Sequence, residues 1–139
     1  MSPEVRLADE ADLAFIYQSW LKSLRVDSHY KHLTTKATFF TNYRLILDEI
    51  LSESMILVAC LPEDHNVILA YLCYSGDTLH YAFCKEAFRN LGITRMLYKE
   101  AFKNKPVITH YTYSSDPIIQ KHNLEYNPFL IFKGVSNES

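Results

Sequence analysis

The sequence contains little glycine and little proline, three and five residues respectively in a chain of 139. This scarcity excludes collagen-like and low-complexity chains, which are rich in one or both. Hydrophobic residues make up 48% and charged residues 22% of the chain, a composition that is unlike that of disordered proteins. A single globular domain is therefore expected over residues 1–134, followed by a polar tail at 135–139.

Cysteine is also scarce, and Cys60, Cys73 and Cys84 form an odd number. A secreted disulfide framework normally has an even number, so we expect these thiols to be reduced and to pack in the core. No apolar run approaches the ~18 residues of a membrane span, and acids occupy the N-terminal region where a signal peptide is basic. The sequence thus predicts a soluble, cytoplasmic protein that does not bind membranes.

Neither sign of charge dominates, since fourteen Lys and Arg face sixteen Asp and Glu for a net charge of −2. A general polyanion binder is usually basic overall, so this balance argues against one. The bases are nevertheless clustered, with five bases and one acid in residues 22–44 and six bases and two acids in residues 85–105. Two local anion sites are therefore expected.

Hydrophobic periodicity predicts an α/β (α+β) domain in which helices and strands alternate. Three apolar runs joined by two short turns predict an antiparallel meander. Residues 25–34 lose the helical pattern and are expected to form a loop. The predicted elements in chain order are strand 3–8, helix 9–24, helix 35–51, strands 55–61, 67–74 and 78–84, helix 91–102, strand 106–113, helix 116–122 and strand 129–132.

A strand, a turn containing one arginine and one glycine, and a helix follow one another between residues 78 and 98. Arg89 and Gly92 match the first and fourth positions of the pattern Gln/Arg-x-x-Gly-x-Gly/Ala, and Thr94 replaces the small residue at its sixth position. This segment resembles the phosphate loop of the GCN5-related N-acetyltransferases (GNAT). The predicted order β-α-α-β-β-β-α-β-α-β is one strand short of theirs, and the resemblance implies a mixed, mostly antiparallel sheet with helices on both faces.

Two shorter segments resemble small acetyltransferase-like proteins encoded in bacteriophage genomes. They are the run from Trp20 to Arg25 and the run from Tyr126 to Pro128. This second resemblance keeps a role directed at DNA or at a host protein open.

The loop at residues 89–95 also has a physical rationale of its own. Gly92 allows a close turn before the helix, and the first N–H groups of a helix have no partner within it. Together with the positive end of the helix dipole, these groups suit a pyrophosphate. The alternative is an ordinary strand-to-helix turn with a solvated basic face.

The resemblance implies acetyl-coenzyme A, or coenzyme A, as the cofactor, held where the fourth and fifth strands separate. Its pyrophosphate would contact Arg89, Asn90, Leu91, Gly92, Ile93, Thr94 and Arg95, and its pantetheine arm would pair with the backbone of Ala82, Phe83 and Cys84. The family's reaction is direct attack of an amine on the thioester carbonyl. Such a reaction needs a base to neutralise the amine and an acid for the departing thiolate.

His80 and Tyr126 are the candidate catalytic residues. Strand alternation places the even-numbered residues of 78–84 on one face and the odd-numbered ones on the other, and the resemblance directs the even face toward the acceptor. Thr78 stands where some family members carry a carboxylate base, so His80, which titrates in the useful range, is the candidate base. His122 lies near the position of the family's tyrosine acid and Tyr126 follows four residues later, so Tyr126 is the candidate acid, with Tyr111 and Tyr113 as further candidates. A packing role is the alternative for both.

The resemblance places the acceptor against the first two helices, where Trp20 and Arg25 are the candidate substrate contacts. The positive charge of this segment disfavours polyamines and favours an acidic small molecule or a nucleic acid that carries an amino group. The rival hypothesis is a non-catalytic module of the same fold that docks a protein or a nucleic acid through this basic face.

Two further expectations concern metal binding and assembly. No metal site is expected, because His29 and His32 lack further ligands at a suitable spacing. The single strand predicted at the C-terminus leaves a homodimer open, since an unpaired edge strand can be completed by another subunit.

Overall fold

A computed structural model describes residues 2–27, 32–102, 110–111, 125–127 and 129. None of the helices in these ranges is both long and apolar enough to cross a bilayer. The helices and strands are β1 (Glu4–Leu7), α1 (Leu13–Asp27), α2 (Lys36–Ser52), β2 (Met55–Leu61), β3 (Asp64–Ser75), β4 (Thr78–Cys84), α3 (Ile93–Phe102), β5 (His110–Tyr111) and β6 (Glu125–Tyr126), with single 3-10 turns at Glu10–Asp12 and Glu86–Phe88.

The strands form one sheet in the order β1-β2-β3-β4-β5-β6. Neighbouring strands are antiparallel from β1 to β4, whereas β4 pairs with β5, and β5 with β6, in parallel. The predicted mixed and mostly antiparallel sheet is therefore confirmed. The meander was predictable because short turns join β2, β3 and β4, whereas parallel neighbours require a longer connection.

The predicted bounds of β2 and β4 agree with the structure, those of β1 and α2 differ by one residue at each end, and those of β3, α1 and α3 differ by more. β3 begins at Asp64 rather than residue 67, because the turn before it takes up only residues 62 and 63. α1 continues to Asp27 through part of the expected loop, and in this added turn Arg25 lies over the ring of Phe39 from α2, 5.1 Å from its centroid. α3 begins at Ile93, two residues later than predicted.

The sequence analysis did not predict β6 at residues 125–126. Of the strand predicted at 129–132 the structure describes only Phe129, whose N–H donates a hydrogen bond to the side chain of Asn127 at 3.1 Å. The predicted helix at 116–122 falls outside the described residues.

Two apolar layers cover the two faces of the sheet. On one face α1 and α2 bury a cluster rich in aromatic residues that includes Trp20, Tyr71 and Tyr81. On the other face α3 packs Ile93 and Leu97 against mainly aliphatic strand residues. Because β2, β3 and β4 are buried on both faces, their sequences are continuous apolar runs rather than alternating ones.

The start of α1 is fixed by a buried ion pair. The Asp12 side chain is 4% exposed and accepts two hydrogen bonds from the guanidinium of Arg6, at 2.6 and 2.9 Å. Asp12 also accepts the N–H of Asp9, and Arg6 donates to the carbonyl of His65. The bonds from Arg6 hold the pKa of the Asp12 carboxyl below its usual value. This pair therefore joins β1, the start of α1 and the start of β3.

We expect Asp12→Asn to lower the free energy of unfolding by about 2 kcal/mol at pH 7, because it leaves the partly buried Arg6 without its counter-charge. The loss should shrink at low pH, since protonation of Asp12 removes the same interaction from the parent protein. Urea denaturation at pH 7 and pH 3 measures both effects, with the exposed Glu10→Gln as control. Equal stabilities of Asp12→Asn and the parent at pH 7 would contradict the assignment.

Candidate functional site

A β-bulge interrupts β4 at His80. Cys73 of β3 pairs with Tyr81, but the next residue, Tyr74, pairs with Leu79, so His80 is an extra residue in β4. The two described pairs that join β4 to β5 involve Thr78 and Leu79, immediately before this bulge. Because a bulge bends its strand and increases the local twist, β4 changes direction just beyond its pairing with β5.

The bulge also changes which side chains of β4 share a face. Leu79 packs in the α3-side cluster together with Ala82, whereas Tyr81 and Phe83 belong to the α1-side cluster. The uniform alternation expected from the sequence is therefore wrong for Leu79, because an inserted residue shifts the alternation by one position. Tyr81 and Phe83, rather than Ala82, face the two helices to which the sequence analysis assigned the acceptor.

His80 is nearly inaccessible, with 4% of its surface exposed. Burial disfavours the imidazolium form and lowers the pKa of His80 from 6.5 to about 4. The ring is therefore neutral at neutral pH, which allows it to accept a proton but makes it a weak base. Its assignment as the catalytic base stays a prediction.

The α1-side surface of β3 and β4 carries two hydroxyl pairs that the sequence analysis did not identify. The hydroxyl of Tyr81 donates to Ser23 Oγ at 2.6 Å, and the hydroxyls of Tyr71 and Ser19 lie 2.7 Å apart. Ser19 and Ser23 are four residues apart and therefore lie on one face of α1. That spacing was the available signal, but it does not show which strand residues face the serines.

The two predicted substrate contacts on α1 have different environments. Trp20 is fully buried and its ring stacks on that of Tyr81, with centroids 4.7 Å apart and planes inclined by 10°. Arg25 is partly exposed and lies over Phe39 of α2. Both contacts stay predictions, and the burial of Trp20 favours a packing role for its ring.

Tyr126 lies in the edge strand β6, where its backbone pairs with Tyr111 of β5. Its role as a proton donor stays a prediction. The neighbouring candidate His122 lies outside the described residues.

The segment between β4 and α3 is held in an unusual backbone conformation. Asn90 and Gly92 have φ values of 65° and 79°, in the left-handed region that most residues avoid. A side chain built at Gly92 would meet nothing within 4 Å, so glycine is required here by conformation rather than by lack of space. The carbonyl of Gly92 accepts the N–H of Met96 at 3.0 Å and starts the helical hydrogen bonding.

The amides of this turn are unoccupied. Within the part of the chain that the structure covers, the N–H groups of residues 90–95 make no hydrogen bond to a backbone or side-chain acceptor, whereas the N–H of Arg89 bonds to Glu86 O at 3.3 Å. Leu91 and Arg95 are exposed, and Ile93 buries its side chain in the α3-side core. The turn therefore presents free donors and a helix N-terminus beside basic side chains, an arrangement that suits a phosphate group.

The backbone of β4 continues this polar surface from the loop toward the bulge. The N–H of Lys85 bonds to the carbonyl of Leu69 on β3 at 2.9 Å. Along an antiparallel pair, residues whose backbone groups face the partner strand alternate with residues whose groups face away. Phe83, two residues before Lys85, therefore also directs its backbone groups toward β3. Ala82 and Cys84 direct theirs away from β3. Of the three residues expected to pair with a pantetheine arm, Ala82 and Cys84 therefore have the suitable orientation and Phe83 does not.

A surface cavity of about 470 Å³ lies beside the turn. It is lined by Gly92, Arg95, Met96, Lys99 and Glu100, so two cations border it. Lys99 lies one turn after Arg95 on α3, and both are exposed. This cavity extends the anion-binding surface along the helix.

No protein-family model matches the sequence, and a search of curated proteins finds no match. Solved structures do match. One is a protein from Pyrococcus furiosus that is named as a proposed acetyl transferase. It matches with a TM-score of 0.66 at 14% identity, over 86% of this chain and 90% of that one. A second is the histone acetyltransferase HPA2 and related acetyltransferase from Corynebacterium glutamicum, with a TM-score of 0.56 at 17% identity over 73% and 70%.

A third match is AAC(6')-Iy, solved in complex with the bisubstrate analogue CoA-S-monomethyl-acetylneamine, with a TM-score of 0.50 at 12% identity over 90% of this chain and 92% of that one. At these identities the likeness establishes the fold alone. The chain has the GNAT fold that the sequence resemblance implied.

Replacing Gly92 with alanine should test the strained turn. We expect Gly92→Ala to lower the free energy of unfolding by about 1–2 kcal/mol, since an L-residue pays that cost in the left-handed region. Asn90→Gly is the control and should change it by less than about 0.5 kcal/mol, because Asn tolerates positive φ. Urea denaturation measures both. An unchanged Gly92→Ala protein would show that the turn relaxes freely.

The lowered pKa of His80 predicts a specific acid sensitivity. The unfolded state takes up a proton near pH 6.5 and the folded state only near pH 4, so stability should fall as pH decreases between these values. The loss should reach about 3 kcal/mol at pH 4 and should be absent in His80→Gln. Denaturation midpoints of both proteins at pH 7 and pH 4 give the difference. If the free energy of unfolding fell equally in the parent and in His80→Gln between pH 7 and pH 4, the assignment of His80 as a buried neutral histidine would be contradicted.

Proposed function

We propose that this protein is an acyltransferase that moves an acetyl group from acetyl-coenzyme A to an amine. The observation that carries the proposal is the set of unoccupied N–H groups at residues 90–95, on a turn that follows β4 and leads into α3. The complex of AAC(6')-Iy with a coenzyme A conjugate supports the assignment, because it places such a group on a related fold.

The residues fit each part of coenzyme A in turn. The turn N–H groups and the Arg89 and Arg95 side chains would bind the pyrophosphate, with Lys99 in reach of a further phosphate along α3. The outward-facing backbone groups of Ala82 would bind the pantetheine arm, whereas the carbonyl of Cys84 already accepts the Nε–H of Arg89. Acetyl-coenzyme A would supply the thioester, and this path would lead its acetyl end along β4 toward the bulge at His80.

Proton transfer is the least supported part of the proposal. We propose that the acceptor amine attacks the thioester carbonyl directly, since this reaction needs no covalent intermediate on the protein. His80 would accept the proton of the amine, directly or through water, and Tyr126 would donate a proton to the thiolate. With a pKa of about 4, His80 would give modest assistance, so the reaction depends on acceptor molecules that are already neutral.

The acceptor is proposed to be anionic. The exposed ends of α1 and α2 carry Lys22, Arg25 and Lys36, and Lys85 Nζ lies 5.1 Å from the centre of the Phe15 ring on the α1 side of β4. These cations would attract an acidic small molecule or a nucleic acid that bears an amine, and would repel a polyamine.

One observation favours a second candidate, a module that binds coenzyme A without turnover. No residue of β4 is an Asp or Glu, and the histidine in that strand is a weak base. The two candidates share the cofactor site and differ only in chemistry.

Binding and turnover are tested separately. Coenzyme A at a hundredfold excess over its Kd should raise the Tm by about 5–10 °C, and Arg89→Ala should reduce that shift while Lys36→Gln, on α2, should not. Thiol release from acetyl-coenzyme A in the presence of anionic amines measures turnover, and His80→Gln should lower its rate. The absence of a Tm shift at millimolar ligand would contradict the proposal, and a shift without thiol release would support the non-catalytic module.

A further inference from the structure

The side chain of Arg89 does more than place a positive charge beside the turn. Its Nε donates a hydrogen bond to the carbonyl of Cys84, the last residue of β4, at 3.0 Å. That carbonyl points away from β3, so the bond does not compete with the sheet. A guanidinium donor makes a charge-assisted bond, which is stronger than a bond between neutral groups.

This bond closes the segment from Cys84 to Arg89 into a ring. Inside the ring, the 3-10 turn is held by Phe88 N–H to Lys85 O at 2.9 Å and by Arg89 N–H to Glu86 O at 3.3 Å. Arg89 is therefore tied to the end of β4 through its side chain and to the 3-10 turn through its backbone. The position at which the following residues start is set by both bonds.

The residues after Arg89 need a fixed starting point, and the two bonds that hold Arg89 form its anchor. Asn90 and Gly92 both adopt positive φ, a conformation that the backbone takes only where its neighbours hold it. The free N–H groups begin at the same place, directly after the anchored residue. If Arg89 shifted, the free N–H groups of residues 90–95 would therefore move with it.

We propose that Arg89 is a positioning residue, whose Nε–H bond to Cys84 fixes the free amides of residues 90–95 in place independently of its charge. The remaining guanidinium nitrogens are not diverted elsewhere, because Arg89 forms no ion pair with any residue that the structure places and its side chain is exposed. One guanidinium thus anchors the turn through Nε and faces the ligand through its other nitrogens. The identity of that ligand rests on the proposed function.

Arg89→Lys separates the two contributions, because lysine keeps the charge and loses the Nε–H donor. Titration calorimetry with coenzyme A should give a Kd about tenfold higher for Arg89→Lys than for the parent. This difference should persist at 0.5 M NaCl, where screening removes much of the contribution of exposed charges. Lys99→Gln is the matched charge variant, and its smaller loss of affinity should fade in the same salt.

Hydrogen exchange tests the anchor without any ligand. The amides of residues 90–92 should exchange at least threefold faster in Arg89→Lys than in the parent protein, and at the parental rate in Lys99→Gln. Equal coenzyme A affinity and equal exchange in Arg89→Lys and the parent would overturn the inference and leave the proposed function standing. A parent protein that does not bind coenzyme A, together with faster exchange in Arg89→Lys, would overturn the proposed function and leave the anchor standing.

Discussion

The antiparallel pairing of β3 with β4 is the interaction on which the candidate site depends. Its phase decides which backbone groups of β4 face the neighbouring strand and which face outward, and its irregularity at His80 decides where β4 bends. Its final bond, from Lys85 N–H to Leu69 O, ends the strand and determines where the turn toward α3 begins. This one ladder therefore determines three features of the site: where the turn before α3 begins, the outward-facing backbone of Ala82 and Cys84, and the placement of His80 at the bulge.

The elements and the anion-binding turn were predictable because local chemistry specifies them. A continuous apolar run of seven residues gave β2 its correct limits, and the turn before Thr78 gave β4 its correct start. Thr35 caps α2 by accepting the N–H of Thr38 at 3.1 Å. Gly92 was identified as a turn residue, and the structure shows the positive φ that glycine permits. In each case the decisive interaction lies within a few residues of the signal.

The bulge and the environment of Trp20 were not predictable in the same way. A strand buried on both faces has no alternation of apolar and polar residues, so an inserted residue leaves no mark on its pattern. Trp20 lies on the apolar stripe of α1, which predicts burial but not its partner. The ring of Tyr81 covers the ring of Trp20, and the position of Tyr81 depends on the bulge. The bond from Arg89 to Cys84 likewise depends on how the intervening 3-10 turn folds.

The α1-side surface of β3 and β4 contributes packing rather than proton transfer. On the α1 side, the hydroxyls of Tyr71 and Tyr81 are satisfied by serines, and burial raises the pKa of Tyr71 well above its usual value, so this phenol is poorly suited to give up a proton. His80 remains neutral down to about pH 4. Neither group changes protonation between pH 6 and pH 9. If acetyl transfer occurs here, His80 and Tyr71 therefore contribute nothing to its pH dependence in that range. An acceptor amine with a pKa near 10 contributes strongly, since only about one molecule in a thousand is neutral at pH 7.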